Sequence, residues 1–247
     1  MLPRTPSFRL DGKRAVVTGG SRGIGLGCAV ALAEEGANVT IVARSKDQVF
    51  ETVNKMKSEG FSVSGAPMDV TNIDSVKKLM DEYSDIDILV NSAGIARHTP
   101  TIDTKVADFD DVMSVNVRSA YFLAQSAAKK MIAKGVGGSI IQISSQMAHV
   151  GGIDRAVYCG TKHAIEGINK SMAIEFGPHK IRVNSICPTF VRTPFTESTF
   201  KDPDKVKWIE AKIKLGRVGE VEDIMGAVKF LASDVSAMVT GSSILID

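Results

Sequence analysis

Short β-branched runs alternate with longer helix-period stretches along nearly all of the 247-residue chain, and no other feature narrows its possible folds as far. The runs cover residues 15–18, 38–43, 61–64, 86–91, 139–144, 181–186 and 243–246. Helical patterns fill intervals at residues 23–35, 46–58, 73–83, 107–134 and 156–176. Strands separated by whole helices pair in parallel, because each return needs a crossover of a dozen or more residues, and helices then cover both faces. The expectation is an α/β fold: one domain, doubly wound, with a seven-stranded parallel sheet and helices on both faces. Gly36, Gly60 and Gly177 stand where a left-handed residue would end three of the helices. The one departure from tight alternation, residues 193–219, reads as a substrate-binding lid or as a surface helical excursion.

Composition excludes several classes. With 44% apolar and 23% charged residues and a net charge of +2, the chain has the makeup of a globular domain, with no basic surface to attract nucleic acid. Cys28, Cys159 and Cys187 are odd in number and widely spaced, which indicates neither a disulfide framework nor a zinc site. His98, His149, His163 and His179 show no metal-binding spacing, so no metal is expected, although His149 could line a pocket or sit on an exposed loop. No apolar run is long enough to span a bilayer and the N-terminus lacks a signal-peptide core, so the reading is cytoplasmic, with no membrane partner. Small molecules are the expected partners.

The first run leads directly into Thr18-Gly-Gly-Ser-Arg-Gly-Ile-Gly25 and then a helix. Glycines let the backbone turn and come close to a pyrophosphate, and the helix N-terminus offers free N–H groups and partial positive charge. Gly19, Ser21, Arg22, Gly23, Ile24 and Gly25 are therefore candidate dinucleotide contacts. Where an acidic residue would bind a ribose hydroxyl, at the end of the second run, stands Arg44. Arg44 and Arg22 could pair with a 2′-phosphate, which favours NADP(H), or could simply face water. Asp69 and Val70 follow the third run, where Asp69 could meet an adenine or cap a helix. Asn91, Ala93 and Gly94 end the fourth, where small residues allow close approach of a cofactor.

Tyr158 and Lys162 are four residues apart and so share one face of a helix. A neighbouring cation favours phenolate, so Lys162 is expected to lower the Tyr158 pKa from about 10 and make the pair an acid/base. Ser145, thirteen residues before Tyr158, is either a hydrogen-bond donor to substrate or a strand-end cap.

With Thr18-x-x-x-x-Gly23-x-Gly25, Asn91-Ser-Ala-Gly94, Ser145 and Tyr158-x-x-x-Lys162 in this order, the chain resembles the short-chain dehydrogenase/reductase family along its whole length. The resemblance implies a Rossmann-type fold and a catalytic tetrad of Asn116, Ser145, Tyr158 and Lys162, with Asn116 holding a relay water. It also implies that Lys162 binds the ribose and that Pro188, Thr189, Val191 and Thr193 meet the nicotinamide. Ser92 and Thr189 depart from the family's usual asparagine and glycine, the second placing a β-branched residue beside the cofactor. Ser144-Ser-Gln146, Val157-Tyr-Cys159, Phe176–Asn184 and the Pro-Thr pair are similar to the dicarbonyl/xylulose reductase branch. That implies reversible NADPH-dependent reduction of a ketone or other small carbonyl substrate. Alternatives are 3-oxoacyl thioester reduction, sugar or polyol dehydrogenation, and a noncatalytic NADP(H)-binding regulator.

Long apolar stretches at residues 120–124 and 164–168 call for more than one sheet face, and family resemblance makes the partner a second copy within a homotetramer. The segments expected to shape the substrate pocket, residues 95–104, 146–156 and 195–215, carry no decisive charge. Asp110, Asp111 and residues 85–87 read as solvated charges and caps.

Overall fold

The computed structural model describes residues 2–247. Seven strands, β1 (Arg14–Thr18), β2 (Asn38–Ala43), β3 (Val63–Pro67), β4 (Ile88–Asn91), β5 (Gly138–Ile143), β6 (Ile181–Pro188) and β7 (Ser243–Ile246), pair in parallel in the order β3-β2-β1-β4-β5-β6-β7. The helices are α1 (Gly23–Glu34), α2 (Lys46–Ser58), α3 (Ile73–Glu82), α4 (Val106–Met113), α5 (Ser119–Lys134), α6 (Ala156–Phe176), α7 (Glu197–Phe200), α8 (Pro203–Glu210) and α9 (Glu222–Ala232). Strand order reverses between β1 and β4, which opens a crevice at their carboxyl ends.

Alternation along each strand decides which layer a residue joins. Ala15, Val17, Val39, Ile41, Ile88, Val90, Ile141 and Ile186 pack with α1, α2 and α9. Val16, Val42, Leu89, Ile140, Ile181 and Val183 face α3, α5 and α6 on the other side. Strands buried on both faces read as continuous apolar runs, which is why the sheet shows so clearly in the sequence.

Several boundaries move for local reasons. The third strand was expected at residues 61–64 but runs Val63–Pro67 at the sheet edge, where a proline's missing N–H is tolerated. Gly65 lets α2 pack directly on it: a Cβ there would lie 2.5 Å from Val49 Cγ1. The helix expected at residues 107–134 is interrupted by a π turn, Ser114–Arg118, which carries Asn116. Gly36 and Gly60 have the expected positive φ, at 94° and 88°, but Gly177 is right-handed at −52°. The chain there adds a 3-10 turn, and Lys180 takes the left-handed conformation instead. Asp87 is not solvated; it is buried and accepts hydrogen bonds from Arg14 N at 2.9 Å and Lys134 Nζ at 2.7 Å, tying β1 to α5.

Residues 193–219 fold into α7 and α8 and return to their starting point. Arg192 N donates to Gly219 O at 2.9 Å and Gly219 N to Phe190 O at 2.8 Å, so the excursion is closed at its base. All three cysteines are buried and unpaired. Among the described residues, no helix is long and apolar enough to cross a membrane.

Leu89 is fully buried in β4, between β1 and β5. Leu89→Ala is expected to cost about 2–5 kcal/mol in urea unfolding. A cost below about 1 kcal/mol would mean that the two-layer core does not depend on this strand.

Candidate active site

A cavity of about 690 Å³ opens at the carboxyl ends of the strands and runs from the glycine loop to Tyr158. Its construction begins at Thr18, whose buried hydroxyl accepts from Ser92 N at 3.2 Å and Ala93 N at 3.3 Å, holding the ends of β1 and β4 together. The loop leaves that junction with Gly19 at φ 67°, close against the next loop: a Cβ on Gly19 would lie 2.9 Å from Ala93 N. A Cβ on Gly25 would lie 2.1 Å from Gly19 O, so α1 starts in backbone contact with the loop. No side chain caps α1, whose first N–H groups remain for a ligand.

This cradle fits a dinucleotide. Gly19, Ser21, Arg22, Gly23, Ile24, Gly25, Arg44, Asp69, Val70, Ala93 and Gly94 all line it, as expected from the sequence. Arg22 and Arg44 stand exposed at the same end, joined by Ser45, which the sequence reading did not single out. Asn91 lies behind the lining, with its Nδ2 donating to Ala120 O at 3.1 Å. Asp69 caps no helix; its carboxylate holds Thr71, while Asn72 caps α3.

At the opposite end α6 presents Arg155, Tyr158, Lys162 and Glu166 at steps of three and four, with Arg155 at its N-cap. Lys162 Nζ lies 5.6 Å from the Tyr158 ring centroid and donates to Ile143 O at 2.9 Å. The expected downward shift of the phenol does not occur. Burial raises the Tyr158 pKa above its ordinary value, against the opposing effects of the neighbouring Ser145 hydroxyl and the Arg155 charge. Lys162 is itself buried, and the loss of solvent pushes its pKa down to about 8, against the pull of Cys187 and Glu166. The site therefore holds a protonated phenol beside a lysine whose proton is loosely kept.

Ser145 Oγ accepts from Met147 N at 3.1 Å, so it does cap the turn after β5, and it faces the cavity beside Tyr158 as well. Asn116 is buried behind the lining, where Nδ2 donates to Ile95 O and Oδ1 accepts from Ile95 N, both at 2.9 Å, and Nδ2 also reaches Thr161 Oγ1 at 3.2 Å. Pro188, Thr189, Val191 and Thr193 form the wall after β6. Thr189 needs no positive φ, so its branched side chain is accommodated.

Beneath Lys162, Glu166 is buried and accepts from Ser185 Oγ at 2.8 Å, from Ser243 Oγ and from the Cys187 thiol at 3.6 Å. Burial works to raise its carboxyl, but these hydrogen bonds hold it below the ordinary value. His149 joins this group rather than the cavity: its ring nitrogen, a Glu166 oxygen and Cys187 Sγ lie within 4.8 Å of one another. Linear spacing gave no sign of that cluster. The Cys187 thiol is pushed up to about 11 by burial and the Glu166 charge, so it sits there as a hydrogen-bond donor.

Arg155 and His98 also line this end of the cavity, inside the segments 146–156 and 95–104 expected to shape the pocket although neither was singled out, and Phe190, outside those segments, was missed. Arg155 could have been found from its position one helical turn before Tyr158. Phe190 lies in a loop whose path carries no local signal.

Residues 19–247 match the protein family described as Enoyl-(Acyl carrier protein) reductase. The chain is 37% identical over 240 residues to L-xylulose reductase of Bos taurus, covering 97% of each. It is 38% identical to 2-dehydro-3-deoxy-D-gluconate 5-dehydrogenase of Escherichia coli strain K12, covering 98% of this chain and 96% of that protein. The crystal structure of a gluconate 5-dehydrogenase from Burkholderia cenocepacia J2315, in complex with NADP and tartrate, superposes with a TM-score of 0.94 at 35% identity, covering 97% and 95%.

Glu166→Gln removes the charge that helps Lys162 keep its proton. The Lys162 titration near 8, followed by NMR of the Nζ group, is expected to move to lower pH. An unchanged midpoint would uncouple the two groups.

Proposed function

As the chain belongs to the short-chain dehydrogenase/reductase family and is an oxidoreductase acting on carbonyl and CH–OH groups, we propose that it is an NADPH-dependent reductase of small ketones, sugar ketones foremost. The observation that carries this reading is the continuity of one cavity from Arg22 and Arg44, past the glycine loop, to Ser145 and Tyr158. A relative solved with NADP and relatives named for xylulose and gluconate derivatives support the same choice.

Held by the residues that line the cavity, a nicotinamide cofactor would supply the hydride. Tyr158, kept protonated by its surroundings, gives its proton to the carbonyl oxygen as negative charge develops there. Ser145 donates a hydrogen bond to the same oxygen and fixes the carbonyl's orientation. Lys162 and Arg155 stabilise the phenolate left behind, and Lys162 also binds the ribose. The π turn with Asn116 holds a relay water through which the phenol regains its proton. In the oxidative direction Tyr158 acts as the base. Thr193, packed 3.3 Å from where a Gly23 Cβ would stand, is assigned to the nicotinamide carboxamide.

We assign residues 193–219 as a lid, since Thr193, Pro194, Phe195 and Thr196 form part of the cavity wall. The homotetramer is retained for the exposed apolar groups on α4, α5 and α6, among them Phe109, Tyr121 and Ile174. Reduction of a 3-oxoacyl thioester remains the second reading, because the description of the matching family also names an acyl-carrier substrate.

Tyr158→Phe is expected to lower kcat for ketone reduction by about 10²–10⁴-fold with NADPH binding intact. Near-normal turnover would remove Tyr158 from the reaction. For the cofactor, Arg44→Ala is expected to weaken NADPH by about 10–100-fold and leave NADH untouched, as loss of a charge-assisted contact to phosphate should. A wild-type preference for NADH in parallel kinetics would overturn the NADP(H) assignment.

A further inference from the structure

A cation outside the proton-transfer pair stands on the substrate side of the cavity. Arg155 occupies the N-cap of α6, where the helix end adds partial positive charge to its own. Asp154, just before it, has a left-handed backbone with φ 58°, and its carbonyl accepts from Thr99 N at 3.1 Å, which brings the loop carrying His98 against this turn. Gly152 leaves space for the arginine stem: a Cβ there would lie 2.9 Å from Arg155 Cδ.

The guanidinium is held in place but not neutralised. Its carbon lies 5.3 Å from the Phe190 ring centroid, and Nη1 is 3.3 Å from His98 Nε2. Both neighbours are neutral, and among the described residues no carboxylate lies within ion-pair distance of it. Partial burial pushes the His98 pKa down to about 4, helped by the charges of Arg155 and Lys205 and opposed by Asp154, and because a guanidinium only donates, the imidazole accepts from it. His98 in turn stands edge-on to Tyr158, with ring centroids 6.0 Å apart. A single imidazole thus separates the proton donor from a fixed, planar cation with donors to spare. Guanidinium matches carboxylate geometry with two parallel hydrogen bonds.

We propose that Arg155 anchors a carboxylate on the substrate, making the enzyme a reductase of polyhydroxylated keto acids in preference to neutral sugar ketones. The proposal rests on the ketone-reductase reading above. The carboxylate takes no part in bond making: hydride from NADPH adds to the keto carbon, the Tyr158 proton goes to the oxygen, and the products are a hydroxy acid and NADP⁺. Arg155 acts by fixing how far the ketone stands from the acid group.

The test compares L-tartrate with threitol, its neutral counterpart of equal carbon length, titrated calorimetrically into the NADP⁺-loaded protein so that the cofactor fills the Arg22 and Arg44 end. Tartrate is expected to bind at least about tenfold tighter than threitol, as for a charge-assisted contact. Arg155→Gln should abolish that preference and Arg155→Lys should retain part of it. If Arg155→Gln does not fold, judged by its NADPH fluorescence, a reduced tartrate-to-threitol ratio in Arg155→Lys carries the same expectation. Equal binding of the two probes by the wild type, or an undiminished preference in either variant, would overturn the anchor. The titration needs no turnover, so absence of NADPH oxidation with every ketone would sink the reductase reading while leaving this result to be judged separately.

Discussion

The contact between the ends of β1 and β4 underlies the site. Thr18 Oγ1 holds the backbone after β4, Gly19 presses against the same backbone, and Gly25 brings α1 onto Gly19. The two glycine approaches are closer than any side chain would allow. The crevice at the strand-order reversal therefore comes from main chain packed on main chain, tied at its base by the Thr18 hydroxyl. A dinucleotide needs this arrangement, because its pyrophosphate must come near enough to bond with peptide N–H groups.

At the other end of the crevice, removal from water outweighs neighbouring charge. Lys162 was expected to draw the Tyr158 proton off, yet burial affects both groups, raising the phenol and lowering the ammonium. The chain places Glu166 one turn below, bonded by the Ser185 and Ser243 hydroxyls, where its charge helps Lys162 remain an ammonium at neutral pH. The line of residues on α6 is thus a graded set. In the proposed reaction Arg155 would meet the substrate, Tyr158 would exchange the proton and Lys162 would steady the phenolate, with Glu166 one turn below the lysine.

The sheet was legible because strands buried on both faces must be apolar throughout, and the glycine loop was legible because a strand, a tight turn and a helix occur there without a gap. Edge strand β3 was harder to read: Gly65 and Pro67 suit an edge packed closely under α2 but lower any strand signal. The π turn at Asn116 was hidden for another reason, since an added residue in a helix leaves the apolar pattern on either side intact. Pairwise spacing found Tyr158 and Lys162 but could not weigh desolvation, which depends on the whole enclosure. His98 reaches the site through a loop tied to Asp154, a contact between segments more than fifty positions apart.

The excursion after β6 begins and ends on one pair of backbone hydrogen bonds, between residues 190–192 and Gly219. Closing such a stretch costs little more as it lengthens, about 0.6 kcal/mol for each doubling. Mutation can therefore lengthen, shorten or rewrite the segment between these two knots with almost no burden on the sheet. Descendants of this chain could acquire new molecular tastes while inheriting the reacting pair unaltered.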